Sequence, residues 1–432
     1  MNTLLCVMTI LLLLFLLGVP IFMSLIASTI IALLISGDLS TTVIQNSLFD
    51  GLNSFPLLAI PCFVVAGTLM EKGNITNQVI EVVKQIFGRM HGGLGITTVL
   101  ACAFFAAISG SGPGTVAAIG TLLIPAMVRN GYSFRYAASV ASSGGTIGIL
   151  IPPSNPMIIY GIVGNISITG LFTAGFIPGF IIAAALAFTA WISARRQGFS
   201  GDASQPPFNA RVFIRTCLKN SFALLTPFII LGSIYSGICT PVEASVVAVA
   251  WALFVGFVVN RHLSCGDIYN SLLEGAMICG VVLLIVGAST LFGKLLTIEQ
   301  APMQMTNLFL SISENKTVIL LLIIGLLLIL GMFLETLATI IILAPVLLPV
   351  VTGLGVDPIH FGVILVVTNE VALLTPPVGV NLFVSSRIAH VPVESVARGV
   401  LPYLAALLCC VLLITFIPAI STWLPHALGY GK

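Results

Sequence analysis

The chain has 432 residues, 58% of them hydrophobic and only 7% charged, with a formal net charge of +2. An average soluble domain carries about 25% charged residues, so this composition, with a mean hydropathy of +1.17, belongs to a multi-span membrane protein. It excludes a soluble cytosolic enzyme, a nucleic-acid binder and a secreted disulfide scaffold. The apolar runs are too long for outer-membrane strands and do not alternate, so the spans are helical.

The N-terminal run from Leu4 to Leu17 has no basic residue before it and resumes from Val19 to Ile35, which does not fit a cleaved signal peptide. The Gly18-Val19-Pro20 break predicts a kinked or divided helix. Asn74 to Gly88 places Ile75, Val79, Val82, Val83 and Ile86 at helical spacing beside Glu81 and Lys84, the pattern of an amphipathic helix at the cytoplasmic interface.

Leu94 to Ile108 and Thr115 to Val128 are short apolar runs on either side of Ser109-Gly-Ser-Gly-Pro-Gly114. At 1.5 Å per residue each reaches only about 20–24 Å, short of a ~30 Å hydrocarbon core. Basic residues at both outer ends, Arg89 and Arg129, predict a re-entrant hairpin entering from the cytoplasm. Phe134 to Leu150 then meets Pro152-Pro153-Ser154-Asn155-Pro156 before continuing to Val163, a span whose hydrogen bonding the prolines interrupt.

The middle of the chain, from Arg195 to Lys219, carries Arg195, Arg196, Arg211, Arg215 and Lys219 against one acid, Asp202. It reads as a cytoplasmic linker by the positive-inside rule. Thr240-Pro241-Val242-Glu243 reads as a capping box opening the helix Ala244 to Val259, and Glu274 as another acid at a helix start. Val318 to Leu334, a tip at Glu335-Thr336, and Thr339 to Val351 form a second hairpin. Pro358 to Leu374, Thr375-Pro376-Pro377 and a continuation to Ser385 form a second broken span.

Shifting the sequence on itself by 224 positions aligns these halves without a gap: Thr115 on Thr339, Pro125 on Pro349, Gly131 on Gly355, Pro152-Pro153 on Pro376-Pro377, Gly175 on Gly399 and Pro178 on Pro402. Breakers in register fix backbone breaks in register. Charge bias is swapped between the copies. Arg129 and Arg135 flank a junction whose counterpart at 353–359 has only Asp357, while the uncharged 163–174 corresponds to a stretch with Arg387 and Arg398. The halves therefore insert in opposite orientations, as in secondary transporters.

The fold class that follows is an all-α polytopic membrane protein with inverted-topology repeats, two re-entrant helical hairpins and two discontinuous helices. The segments are 1–91 (scaffold spans and interfacial helix), 92–194 (first transport repeat), 195–215 (linker), 216–315 (scaffold of the second repeat) and 316–432 (second transport repeat). Small residues at the tips and freed carbonyls at the prolines suit a hard cation or a substrate. The candidate site residues are Ser109, Ser111, Gly112, Thr115, Gly145, Pro152, Ser154, Asn155, Glu335, Thr336, Thr339, Glu370, Thr375, Pro376, Gly379 and Asn381, with sodium expected at Ser109, Ser111 and Glu335. Glu335 and Glu370 are acids at membrane depth, where charge is costly and usually functional. The nine cysteines show no C-x-x-C, and the five histidines show no H-x-x-x-H, so neither a disulfide framework nor a zinc site is expected. Gly110-Ser111-Gly112 superficially matches a rhomboid-type nucleophile motif, but no histidine falls inside a predicted span to act as its base. No catalytic constellation is present, and the chain is not expected to be an enzyme.

Five stretches together strongly resemble the large membrane subunit, DctM or M, of the tripartite ATP-independent periplasmic (TRAP) transporters. They are Ser54-Phe-Pro-Leu-Leu-Ala-Ile-Pro61, Ser109 to Gly120, Gly145 to Gly161, Thr240-Pro-Val-Glu-Ala-Ser245 and Thr375-Pro-Pro-Val-Gly-Val-Asn-Leu-Phe383. The resemblance covers nearly the whole chain. It implies a bacterial or archaeal inner-membrane permease that imports an organic acid with sodium ions by an elevator movement, and needs no other cofactor. It also implies two partners: a small membrane subunit (DctQ or Q), separate because this chain has no room for it, and a periplasmic substrate-binding protein (DctP or P). Membrane lipids surround it and no nucleic acid is involved. C4-dicarboxylates, sialic acid and other sugar acids are the implied substrates, and the amide of Asn155 tilts this chain toward a sugar acid. Departures from the family pattern are Gly114 for Ala, Glu335 for Asp and Ala372 for Gly. The alternative is a stand-alone sodium/carboxylate symporter of the related elevator superfamily.

Overall fold

The computed structural model describes residues 3–36, 41–199, 201, 208–313, 315–377 and 379–430. Ser200 and residues 202–207 of the central linker, Asp202 among them, lie outside the described residues, as does Val378 of the second proline motif. Helices, with a few 3-10 and π turns, account for all regular structure among the described residues.

In the first half the helices are α1 (Thr3–Leu16), α2 (Ile21–Ser36), α3 (Thr41–Leu52), α4 (Ala59–Lys72), α5 (Ile75–Phe87), α6 (Gly93–Ser109), α7 (Gly112–Arg129), α8 (Phe134–Gly145), α9 (Asn155–Gly164) and α10 (Ile168–Arg196). The second half holds α11 (Ala210–Lys219), α12 (Ser221–Tyr235), α13 (Pro241–Leu253), α14 (Cys265–Ile298), α15 (Ala301–Ile312), α16 (Lys316–Gly331), α17 (Thr336–Gly353), α18 (Pro358–Ala372), α19 (Val380–Ala389), α20 (Val393–Phe416) and α21 (Ala419–Ala427). Among the described residues, seven helices are long and apolar enough to cross a membrane, or eight if the bent pair α11–α12 is one span.

Gly18, at φ +75°, divides the N-terminal run, and α1 and α2 pack against each other. The 224-residue register holds for whole elements: α6, α7, α8, α9 and α10 correspond to α16, α17, α18, α19 and α20. Packing is reciprocal. The second arm of hairpin 1, α7, lies on α19 of the other repeat, and the second arm of hairpin 2, α17, lies on α9. In the outer helices α13 packs on α4 and α14 on α2, another exchanged pair. The copies differ where α14 runs unbroken past Met277, because the corresponding Asn53 and Ser54, followed by Pro56, interrupt the first copy between α3 and α4.

Local chemistry explains the ends. Ser133 Oγ accepts from the Tyr136 N–H at 3.2 Å to start α8, and its counterpart Asp357 accepts from Ile359 and His360 at 2.7 and 3.0 Å to start α18. Each satisfies N–H groups that a helix start leaves orphaned. The capping box at Thr240 is present: Thr240 Oγ1 accepts from Glu243 N–H, and Glu243 Oε2 accepts from Thr240 N–H at 2.7 Å. Glu274 is different from its expectation. The start of α14 is capped by Ser264 and Asp267, so Glu274 sits inside the helix, about 14 Å from its first residue. The hairpin arms have 17, 18, 16 and 18 residues: α7 and α17 exceed their apolar runs because Gly112-Pro113-Gly114 and Thr336-Leu337-Ala338 extend them toward the tips, while α16 ends at Gly331, short of Leu334.

His360 corrects a second expectation. It lies inside α18 and is buried, with Nδ1 2.5 Å from Ser421 Oγ and Nε2 3.2 Å from the Thr415 carbonyl. Both ring nitrogens are engaged with the C-terminal helices, so it is not a base for Ser111.

Candidate functional site

Both hairpin tips open into one cavity of about 400 Å³. From hairpin 1 it is lined by Ser109 to Gly114, from hairpin 2 by Glu335 to Leu337, and from the broken spans by Asn155, Glu370 and Val380. The opposite wall is α4 and α14, which contribute Gly67, Thr68, Glu71, Glu274, Ile278 and Val282.

Tip 1 is a small knot of oxygens. Ser109 Oγ is 3.0 Å from Thr115 Oγ1, Thr115 Oγ1 donates to the Ser111 carbonyl at 2.8 Å, and Ser111 Oγ accepts from Gly114 N–H at 3.3 Å as the cap of α7. Gly110 turns the chain at φ +59°, and a Cβ there would stand 2.8 Å from the Pro153 carbonyl. The proline loop thus presses on the tip, and the Asn155 N–H reaches the Gly110 carbonyl at 3.4 Å. Gly145 permits similar contact from behind, since a Cβ would meet Val116 and come within 3.1 Å of the Gly112 carbonyl. Pro152 and Ser154 are buried behind the wall, and Ser154 caps α9 through the Met157 N–H.

Tip 2 is built differently. Glu335 stands at the cap position of α17, where Ser111 stands in repeat 1, but its side chain makes no cap bond and is exposed in the cavity. Its carbonyl accepts from Thr339 Oγ1 at 3.1 Å, the same bond Thr115 makes in repeat 1. Thr336 Oγ1 donates to Glu370 Oε1 at 3.0 Å, while Glu370 Oε2 is buried without a partner. Asn155 Oδ1 and both side-chain heteroatoms of Asn369 and Asn381 are also buried without partners. Such orphaned groups are costly and call for a ligand or water.

The predicted residues therefore divide. Ser109, Ser111, Gly112, Asn155, Glu335, Thr336 and Glu370 line the cavity; Thr115 and Thr339 are buried directly behind the tips. Thr375 and Pro376 lie outside the cavity lining, with Pro376 exposed, and Gly379 at φ +48° serves the turn into α19. Asn381 is buried between repeats, its carbonyl accepting from Ser142 Oγ, whose hydroxyl also pairs with Ser385. Sequence reasoning missed Glu71, Thr68 and Asn369. Glu71 followed by Lys72 at the end of an apolar run looks like an ordinary span terminus. Among the described residues no group of three His, Cys, Asp or Glu side chains is placed to hold a metal ion.

The chain matches the family described as tripartite ATP-independent periplasmic transporter, DctM component, over residues 8–420. It belongs to that family. The "C4-dicarboxylate TRAP transporter large permease protein DctM" of Pseudomonas aeruginosa is 39% identical over 397 residues, 92% of each chain. The "Sialic acid TRAP transporter large permease protein SiaM" of Vibrio cholerae is 36% identical over 416 residues, 96% of this chain and 97% of that one. The "Isethionate TRAP transporter permease protein DctMQ" of Oleidesulfovibrio alaskensis is 41% identical over 404 residues, 93% of this chain, which spans 63% of that protein's length. Among solved structures, the YdaH transporter of Alcanivorax borkumensis aligns with a TM-score of 0.61 at 14% identity, covering 89% of both chains. MtrF of Neisseria gonorrhoeae aligns at 0.56 and 14% identity, covering 87% of this chain and 83% of that one. These two likenesses concern the fold. As a DctM-family chain with these spans, the protein is a multi-pass inner-membrane TRAP permease subunit.

Proposed function

We propose that this TRAP permease subunit imports a small organic acid coupled to sodium, by an elevator movement. The observation that carries the reading is the meeting of two inverted hairpin tips in one cavity, with hydroxyls, carbonyls and carboxylates and, among the described residues, no basic side chain on its wall. Hard cations select oxygen ligands of this kind, and helix starts at α7, α17 and α19 offer N–H groups to an acid. Sodium would sit at Ser109, Ser111 and Glu335 and would offset part of the cost of carrying an anion through the membrane.

In this reading residues 92–194 and 316–432 form the moving body, and residues 1–91 and 216–315 the scaffold. The cavity extends toward the last turn of α4, beside α5 and α11, which are joined by Lys219–Glu81 at 3.4 Å and Gln85–Thr216 at 2.6 Å. Lys72, Lys84, Arg211, Arg215 and Lys219 mark that face as cytoplasmic, so the cavity faces inward. The partners in this reading are a small membrane subunit and a periplasmic binding protein that delivers the acid. The substrate names of the relatives (C4-dicarboxylate, sialic acid, isethionate) bound the class.

The test is uptake by proteoliposomes carrying the permease and its partner subunits. An inward sodium gradient should drive accumulation, and replacing sodium with choline should abolish it. Equal uptake in choline, driven by a proton gradient alone, would refute the coupling.

A further inference from the structure

Four carboxylates line the cavity, Glu335 and Glu370 on the hairpin side and Glu71 and Glu274 on the facing wall, and among the described residues no Lys, Arg or His lines it. None of the four forms an ion pair among the described residues. On the hairpin side, one of these carboxylate oxygens, Glu370 Oε2, and the amide oxygen Asn155 Oδ1 belong to side chains that are 1% and 6% exposed and have no hydrogen-bond partner. This half of the site consists of acceptors awaiting donors. The other half consists of the N-termini of α7, α17 and α19, which present N–H groups and the positive end of the helix dipole, whereas the first N–H groups of α9 are taken by the Gly110 carbonyl and Ser154 Oγ.

We infer that the cavity recognises an organic acid that also carries an ammonium group, a small amino acid or aminosulfonate, in preference to a plain dianion. The acid group goes to the helix starts. The ammonium, with three donors and no acceptor, goes to the carboxylates. Sodium at the hairpin tips offsets charge near Glu335 and Glu370. It leaves Glu71 and Glu274 unbalanced across the cavity, where a second anionic group on the ligand is repelled and a cationic one attracted. The inference rests on the carrier reading above and names the substrate class of that same cavity.

The test uses isosteric pairs that differ only in amine against hydroxyl: 2-aminoethanesulfonate against 2-hydroxyethanesulfonate, and aspartate against malate. Each is titrated directly onto the permease and its membrane partner in nanodiscs at saturating sodium, with thermal stability as the readout, so that the binding protein's own selectivity plays no part. The amine member of each pair should bind about tenfold more tightly. Glu71→Gln with Glu274→Gln should bring each pair to within about twofold while the sodium-induced stabilisation, which reports folding, persists. A hydroxyl member that binds as tightly as its amine partner, no shift from either amine, or a preference that survives both substitutions overturns the inference. Absence of sodium stabilisation in the parental protein, with its amine preference present and abolished by the two substitutions, would count against the sodium reading and support this one.

Discussion

Gly112 at the tip of hairpin 1 lies directly against Glu370 of the opposite repeat: a methyl group added at Gly112 would stand 2.7 Å from Glu370 Oε2. The other carboxylate oxygen accepts from Thr336 at the tip of hairpin 2. One buried side chain therefore touches both tips and reports the position of each to the other. Gly112→Ala must push the carboxyl group aside in a packed site, a strain of about 1–3 kcal/mol. The expected result is at least about a tenfold loss of uptake, scaled from that strain, with normal yield of folded protein. Uptake at the parental rate would remove Glu370 from the joint.

Glu370→Gln separates charge from shape. The amide oxygen still accepts from Thr336, but the carboxyl group, buried without a cationic side-chain partner, can no longer ionise. A buried unpaired charge is destabilising by itself, so the variant should be as stable as the parent or more so without sodium. Its sodium requirement should rise by about tenfold in half-saturating concentration, because the carboxylate no longer favours a nearby cation. Unchanged sodium dependence would show that the charge is balanced in some other way.

Ser109→Ala with Ser111→Ala removes two hydroxyls from tip 1 and the cap bond to Gly114. A lost cap costs about 1 kcal/mol, too little to unfold the subunit. Transport should fall steeply while expression and assembly hold. Near-normal uptake would return this motif to a simple flexible turn.

The inverted repeat was legible because prolines and glycines cannot be exchanged freely: Pro152-Pro153 and Pro376-Pro377 sit in register and end the same helices in both copies. Hairpin tips were legible for the same reason. The facing wall was not. Glu71 belongs to α4 and Glu274 to α14, far apart in the chain and not counterparts in the 224-residue register, and only helix packing brings both to one cavity. Single-residue periodicity carries no signal for such a meeting. The polar pair Asn369 and Asn381 was half seen, because Asn381 stands in a motif whereas Asn369 sits inside an apolar run whose counterpart in repeat 1 is Gly145. The two loops also differ in burial, with Pro152 and Pro153 buried and Pro376 and Pro377 exposed, which sequence symmetry alone does not express.

Asp357→Ala tests local structure away from the cavity. Asp357 accepts from two N–H groups at the start of α18, and its loss should cost about 1–2 kcal/mol of stability. The thermal midpoint should fall, and the sodium concentration for half-maximal uptake should stay at the parental value. A shifted sodium dependence would mean that the N-terminal end of α18 is coupled to the tips.

The movement itself is open to direct test at one contact. Gly67 of α4 belongs to the scaffold, and a Cβ added there would lie 3.4 Å from Ser109 Cβ at the tip of hairpin 1. Disulfides form at Cβ separations of about 3.5–4.5 Å, so Gly67→Cys with Ser109→Cys, in a chain otherwise free of cysteine, should cross-link readily in this facing state. Oxidant should then stop uptake, and reductant should restore it to the level of the unoxidised double variant. Because Ser109 is itself at the tip, a second readout stands beside transport. If the hairpins travel with the moving body, conditions that favour the outward-facing state should lower the cross-linking rate, since the tip leaves α4. A cross-linked permease that transports at full rate, or a cross-linking rate that no sodium or substrate condition changes, would mean that hairpin 1 and α4 stay together throughout the cycle and that the elevator reading is wrong.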